Sequence, residues 1–307
     1  MGAQMALADA GIKLYAGVQG SADEAARSLT SGTLEYDSDA RCDHHGHHHD
    51  SNFDHLWIST TLSNSSMASM RRIRIFYFVL NYVFNKRLKN RLFQVLRSAS
   101  RHICYLINEG YDLKQASTFV GNHFMFSEWQ RLALMRSVAT KEQLKVRKEK
   151  EKASISGEEV WIDGFNTIIT LEVLLSDSIL FLCQDRTIRD LAALRGTYRI
   201  IPETEKAVNT LLSSLEELRV KNTHILLDEP VSNSGRLKSF IAEIGESYKV
   251  PLDIQILKAV DKSLWEKENV ITSDSIILDH CKSWFNLMGN CVKKQGVRPL
   301  QVWEWSS

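Results

Sequence analysis

Cysteine is scarce and unpaired in this sequence. Five residues stand at positions 42, 104, 183, 281 and 291 of 307, with no Cys-x-x-Cys spacing. That excludes a disulfide scaffold and a zinc ribbon, and it fits a reducing, cytoplasmic compartment. No basic n-region followed by an apolar h-region opens the chain, so no secretory signal is expected. The most apolar run, Ile73 to Phe84, is about 12 residues long, too short to span a bilayer. No stable membrane insertion is expected, although the basic residues flanking that run leave a membrane-surface helix conceivable. A Gly-x-Ser-x-Gly elbow is missing, and so is the Gly-Lys-Ser/Thr ending of a P-loop.

What is present is ordinary globular material: 44% hydrophobic and 24% charged residues. Collagen-like, mucin-like and wholly disordered chains are excluded, and the length suggests about two domains. The net charge of +1 conceals three blocks. Residues 1–70 carry 3 Lys/Arg against 9 Asp/Glu, residues 71–155 carry 18 against 6, and residues 156–307 carry 17 against 22. A basic block beside an acidic one is how nucleic-acid binding and metal chemistry are often divided. A set of solvated basic helix faces is the simpler alternative.

Residues 1–70 read as a poorly ordered extension, rich in Ser, Ala, Gly and Asp. Their run of imidazoles at 44–49 can take up Zn, Ni or Cu, without the spacing of a closed structural site. Residues 71–155 read as a basic, all-α domain. Leu92, Val95, Leu96, Ala99, Ile103, Leu106 and Ile107 repeat at helical spacing, and Gly110 stands at C′. A short helix is expected over Lys114–Val120. Ser127 and Gln130 form a capping box for a third helix, which runs into the charged stretch Lys141–Lys152. Helix-turn-helix and plain bundle readings both remain open for this block.

From residue 156 to about 290 short apolar runs alternate with amphipathic stretches, the pattern of an α/β fold with a mainly parallel sheet flanked by helices. Strands are expected at Glu159–Asp163, Ile179–Asp185, His224–Asp228, Asp253–Val260 and Val270–Asp274. The intervening helices are expected at Asn166–Leu175, Thr187–Leu194, Glu203–Leu218, Ser234–Tyr248 and Ser275–Lys282. Residues 291–307, with Trp303 and Trp305, form a strap or a tail.

The chemistry lies in the aspartates. Asp163, Asp185, Asp228 and Asp274 each end an expected strand, and Asp261 nearly does. In a parallel sheet those ends share one edge, where α/β folds place ligands. Clustered carboxylates stay ionised together only beside a cation, and an oxygen-only set selects Mg²⁺ or Mn²⁺. Taken singly, each Asp could equally be a helix N-cap. The loop Asp228-Glu-Pro-Val-Ser-Asn-Ser-Gly235-Arg236 offers Ser232, Asn233 and Ser234 as donors, Gly235 for close backbone approach and Arg236 for a phosphate. An elaborate capping loop is the alternative. Asn166 can cap a helix or support the acidic residues, and Arg189 can neutralise the site or grip substrate. His224 and His280 read as structural.

Ile162-Asp163-Gly-Phe-Asn166, with the later Thr272-Ser-Asp274-Ser and Asp279, resembles the acidic motifs of PIN-like and NYN-like nuclease domains. More widely, residues from about Ala99 to Gly289 are similar to an uncharacterised, largely archaeal family that pairs a short helical domain of unknown function with a PIN-like domain. Tyr105-Leu-Ile-Asn-Glu-Gly-Tyr111, Val120-Gly-Asn122, Gln130-Arg131-x-Ala-Leu-x-Arg136, Arg189-Asp190, Arg195-Gly-Thr-Tyr198 and Asp228-x-Pro-Val-Ser-x-Ser-Gly235 carry that likeness. Gln184 and Arg186 depart from the family pattern of an acidic residue and a glycine. The resemblance implies a divalent-metal ribonuclease in which Asp163, Asp228, Asp274 and Asp279 hold metal, with Asp163, Asp228 and Asp274 catalytic. The alternatives are a non-catalytic nucleic-acid-binding protein on a degenerate scaffold, or an enzyme of nucleotide phosphates. RNA or another nucleic acid is the expected partner, and homo-oligomerisation is left open.

Overall fold

The computed structural model describes residues 86–303, apart from 177 and 193–195, together with isolated positions 28, 33 and 35. The expected low-order extension, its imidazole run, the apolar run at 73–84 and Trp305 lie outside the described residues. From residue 86 onward these residues belong to one compact unit, Asn64–Ser307. No helix among them is long and apolar enough to cross a membrane.

Four helices come first: α1 (Lys86–Asn108), α2 (Leu113–His123), α3 (Glu128–Ser137) and α4 (Lys141–Lys150). Gly110 stops α1 with a φ of +90°, and Asp112 caps α2 by accepting from the Gln115 N–H. The expected capping box of Ser127 and Gln130 opens α3. The charged stretch is not a continuation of α3. Val138 is extended, and a second capping box, Thr140 with Gln143, starts α4. Two boxes at the same spacing mark two starts, and the chain turns between them.

The second half alternates strands and helices: β1 (Glu159–Asp163), α5 (Gly164–Leu175), β2 (Phe181–Leu182), β3 (Ile188–Arg189), α6 (Pro202–Glu217), β4 (Asn222–Asp228), α7 (Ser234–Gly245), β5 (Leu252–Leu257), α8 (Val260–Leu264), β6 (Val270–Ile271), α9 (Ser275–His280) and α10 (Leu287–Lys294). Strands β5, β4, β1 and β6 form a four-stranded parallel sheet in that order. Alternate residues face opposite ways. Val160, Ile162, Ile225 and Leu227 join α5, α6 and α7 in the main core, while Leu226 and Val270 pack with Val260, Leu264, Ile277 and Trp284 of the other layer. A third cluster joins α1–α3 to Ile179, Phe181, Cys183, Leu191 and Val302.

Three expected elements differ. Of the run ending at Asp185 only Phe181–Leu182 is strand, and it lies outside the parallel sheet: β2 and β3 make a separate antiparallel hairpin, with Asp185 in its turn and Arg186 left-handed at φ 65°. Asp185 accepts from the Thr187 N–H and hydroxyl, which closes that turn, and no helix forms over the described residues 187–192 of the expected Thr187–Leu194. Val260 opens α8 instead of ending β5. Of the C-terminal stretch, residues 291–294 belong to α10, and the part around Leu300 and Trp303 is a strap. Leu300 bonds Leu180 and Leu182, and the Trp303 indole donates to the Leu182 carbonyl at 2.6 Å.

Gly164 sets the sheet-to-helix distance. A Cβ there would stand 2.6 Å from Leu227 Cδ2 and 2.8 Å from the Leu226 carbonyl oxygen. Backbone cannot yield as a side-chain tip can, so Gly164→Ala should cost about 1–3 kcal/mol, read as a lower urea midpoint with the slope unchanged.

Candidate active site

The strand order sets the place. From β1 the chain moves to β4 and β5 on one side, then crosses to β6 on the other. The direction reverses at β1, which leaves a crevice between the carboxyl ends of β1 and β6, the position where open α/β sheets bind ligands. Asp163 ends β1, and Thr272-Ser273-Asp274 leaves β6.

Asp163 is 5% exposed, and its side chain does not cap α5. Its Oδ2 accepts from the Thr272 hydroxyl at 2.9 Å, and that hydroxyl accepts from the Asp274 N–H at 3.0 Å. Burial pushes its pKa up to about 7, against the Thr272 bond, and nearby Asp274, Asp261 and Asp228 raise it further. The N-terminal dipole of α5 pulls the other way, but such an effect contributes only about 0.3–1 kcal/mol. Asp228 is raised by partial burial and then by Asp261. Asp261, at the start of α8, is raised by partial burial and then by Asp274. Asp274 is the one that caps, accepting from the Ile276 and Ile277 N–H groups at 2.7 and 3.2 Å.

Four carboxylates thus influence one another across one rim. Among the described residues, however, no three His, Cys, Asp or Glu side chains stand close enough to enclose a metal ion. The oxygen-only donors suit a hard cation such as Mg²⁺, which keeps several waters and takes only one or two carboxylates. Asp163 and Asp274 are the two acids linked through Thr272.

Behind the rim lies a buried ionic chain. Asn166 Oδ1 accepts from the Ser273 N–H and hydroxyl, both at 2.9 Å. The Arg189 guanidinium, 7% exposed, donates to the Ser273 carbonyl, the Arg136 carbonyl and Asp185 Oδ2. All three of its nitrogens therefore serve protein acceptors. Arg147 of α4 donates from Nη1 to Asp185 Oδ2 and from Nε to Asp279 Oδ1, each at 2.7 Å, and from Nη2 to the Ser275 carbonyl. Asp279 also accepts from Gln143 Nε2 at 2.9 Å. Asp279 and Asp185 belong to this network with the helices rather than to the crevice. Burial raises the Asp185 pKa, but the guanidinium groups of Arg189 and Arg147 outweigh it and hold the carboxyl below the usual range.

The 228–236 loop is tied inward. Ser234 Oγ donates to the Asp228 and Val231 carbonyls at 2.5 Å, Asn233 Nδ2 donates to the Tyr198 carbonyl at 2.7 Å, and Ser232 Oγ accepts from the Tyr198 N–H. Asn233 takes the left-handed φ of 67°, a Cβ at Gly235 would meet no atom within 4 Å, and Arg236 is exposed. The Tyr198 hydroxyl donates to Glu172 Oε1 at 2.5 Å, and Thr204 Oγ1 donates to the same oxygen. Burial lifts the Glu172 pKa to about 7 against those two bonds. Tyr198→Phe removes one donor and should lower stability by about 1–3 kcal/mol in thermal unfolding at pH 7.

Two family models match the chain. Residues 95–150 match a family described as protein of unknown function (DUF434), and residues 152–290 match a domain of unknown function (DUF5616). The uncharacterized protein MJ0935 of Methanocaldococcus jannaschii is 35% identical over 185 residues, which are 60% of this chain and 88% of that protein. The chain belongs to this family. In this chain the ionic chain of Arg147, Asp185 and Arg189 joins the two matched regions. No solved structure matches.

Sequence reasoning overlooked Arg147, and it named Thr272 only within the motif that ends in Asp274 and Ser275. A buried arginine in a lysine-rich helix gives no periodic signal, because its partners lie at positions 185 and 279. Thr272 stands two residues before the expected site residue Asp274 and was legible as a hydroxyl near a carboxylate.

Proposed function

We propose that this protein is a divalent-cation-dependent phosphodiester hydrolase acting on RNA, built on a PIN-like scaffold, with its reaction centre in the β1–β6 crevice. The observation that carries this reading is Asp163, a buried carboxyl at the topological switch point that caps no helix. A structural aspartate at that position would satisfy the α5 N–H groups, as Asp274 does for α9. Asp163 instead keeps an elevated pKa among three other carboxylates, the arrangement in which a cation is most stabilising.

Asp163 and Asp274 would hold the cation, with Asp228 and Asp261 lending negative charge from the rim. When bound, Mg²⁺ or Mn²⁺ supplies charge neutralisation at the phosphate and a more acidic water. The chain's own part is positional. Thr272 fixes Asp163 Oδ2, Asn166 and Arg189 fix Ser273 between the two acids, and the Asp274 cap fixes its backbone.

The test is cleavage of end-labelled single-stranded RNA with Mn²⁺, with and without chelator, beside calorimetric titration of Mn²⁺ into the protein. Cation-dependent cleavage that chelator abolishes is the expected result. Full cleavage in chelator, or no heat of Mn²⁺ binding and no cleavage, would overturn the proposal.

A further inference from the structure

The four-stranded sheet has two edges, and the chain treats them differently. Along β6 the backbone is paired: the Val270 N–H donates to the Ser283 carbonyl at 3.0 Å, and the Phe285 N–H donates to the Val270 carbonyl at 2.9 Å. Along β5, the other edge, it is not. The Thr223 N–H donates to the Pro251 carbonyl and the Glu229 N–H to the Leu257 carbonyl, so the backbone groups of the odd-numbered residues of β5 face β4. Leu252, Ile254 and Ile256 therefore turn their N–H and C=O groups outward, and none of the described residues bonds them.

An open edge is a template for another strand, and folds usually blunt it with Pro, Lys, a bulge or a covering segment. Between Leu252 and Leu257 there is no Pro and no Lys, and the register with β4 runs unbroken from Thr223↔Leu252 to Asp228↔Leu257. The side chains are sided. Leu252, Ile254 and Ile256 pack into the main core, while Asp253 and Gln255 stand on the opposite face, the first exposed and the second half-buried. Asp253 Oδ2 lies 2.9 Å from His224 Nδ1 and accepts from Gln255 Nε2. Those bonds, the one with His224 first, hold the Asp253 pKa below the usual carboxylate range.

We propose that β5 pairs antiparallel with β5 of a second copy of this chain, about a two-fold axis at Ile254, so that two four-stranded sheets become one. The residues choose both register and occupant. An axis at Ile254 sets Leu252 opposite the partner's Ile256 and Ile254 opposite itself, and every outward N–H and C=O then finds its complement. On the other face the same axis sets the Asp253 carboxylate opposite the amide of the partner's Gln255, twice by symmetry. An axis at Asp253 would set two carboxylates face to face, and one at Gln255 would carry Leu252 past the end of the opposing strand. A foreign peptide is the rival occupant. Domains that capture peptides by strand addition hold alternate side chains in pockets beside the edge. The two main cavities among the described residues, one beside Lys150 and Lys282 and one between α1 and α2, include no residue of β5 or α7. Main-chain bonds without pockets suit a self-complementary strand. The inference stands apart from the hydrolase reading, because β5 is the strand farthest from the β1–β6 crevice.

Sedimentation velocity of the full chain, over about a hundredfold range of concentration, measures the dimer dissociation constant of wild type, Gln255→Lys and Gln255→Asp. The wild type is expected to dimerise reversibly, in the weak class that small interfaces form. Gln255→Lys opposes a cation to each Asp253 and should tighten the dimer about three- to tenfold. Gln255→Asp opposes two anions and should weaken it by about as much. Added salt should shrink both shifts. Ile256→Pro removes an outward N–H that the monomer does not use, and it should give a monomer with the wild-type circular dichroism spectrum. Should the proline lower the melting temperature, the two charge variants still decide. A wild type that stays monomeric throughout, a dimer indifferent to both charge changes, or shifts of the same sign in the two would each overturn the proposal.

Discussion

Asp163→Asn is expected to abolish cation-dependent cleavage and to make the protein more stable. The first half follows from removing the charge between β1 and β6. Loss of a carboxylate that holds the cation should cost roughly 10²-fold or more in rate. The second half follows from linkage. The folded-state pKa of about 7 lies above the unfolded value of 3.8, so the folded protein binds more protons across that window. The contribution of Asp163 to stability is therefore most favourable below pH 4, falls as pH rises towards 7, and levels off above it. At about 1.4 kcal/mol per pH unit, the strain at pH 8 is on the order of 4 kcal/mol. Asparagine carries no charge, and its carbonyl oxygen can still accept from Thr272. Melting at pH 8 should rise by several degrees, and the slope between pH 5 and 7 should flatten. Mn²⁺ should stabilise the wild type at pH 8 and leave the variant unchanged. A variant that melts lower than wild type at pH 8 would show that the buried charge is not what strains the crevice.

Asp185→Ala has the opposite sign. Two guanidinium groups converge on Asp185 Oδ2, from Arg147 at 2.7 Å and Arg189 at 2.6 Å. Removing the carboxylate leaves two buried cations short of their shared partner, a loss of about 3–5 kcal/mol. For a unit of this size that is a fall of about 10 °C or more, read by calorimetry. The Asp185 pKa lies below its unfolded value, so its contribution is complete above pH 4 and disappears only as pH falls below that. Two buried aspartates of one protein thus respond in opposite ways to neutralisation. The difference is the partner: Asp163 faces other acids and a hydroxyl, Asp185 faces two arginines. If Asp185→Ala melted within a degree or two of wild type, the network would be peripheral.

The contrast shows what was legible in the chain. Apolar runs ending in Asp163 and Asp228 read correctly as parallel strands, because both are buried on two faces and show no alternation. The same reading failed at Asp185, whose run looks alike but turns back on itself through Arg186 and Thr187. Local hydrogen bonds decide that turn, and apolar periodicity does not report them. The rim was legible as a set of strand ends. Which of its aspartates would be strained was not, because Asp274 spends its side chain on a helix and Asp163 does not. The start of α4 was available in Thr140 and Gln143, at the same spacing as Ser127 and Gln130, and only the charge run that follows obscured it.

The seam between the two matched regions also sets where the polypeptide can be divided. Those matches meet near residue 151, yet α4, on one side, threads its arginine into a carboxylate on the other, and the Trp284 indole donates back to the Arg147 carbonyl at 2.7 Å. Expressed alone, the second segment would expose Asp185 and Trp284 together, and aggregation rather than a tidy fragment is the foreseeable harvest. The two segments are best treated as a single heritable unit, and a truncation series should begin upstream of α1.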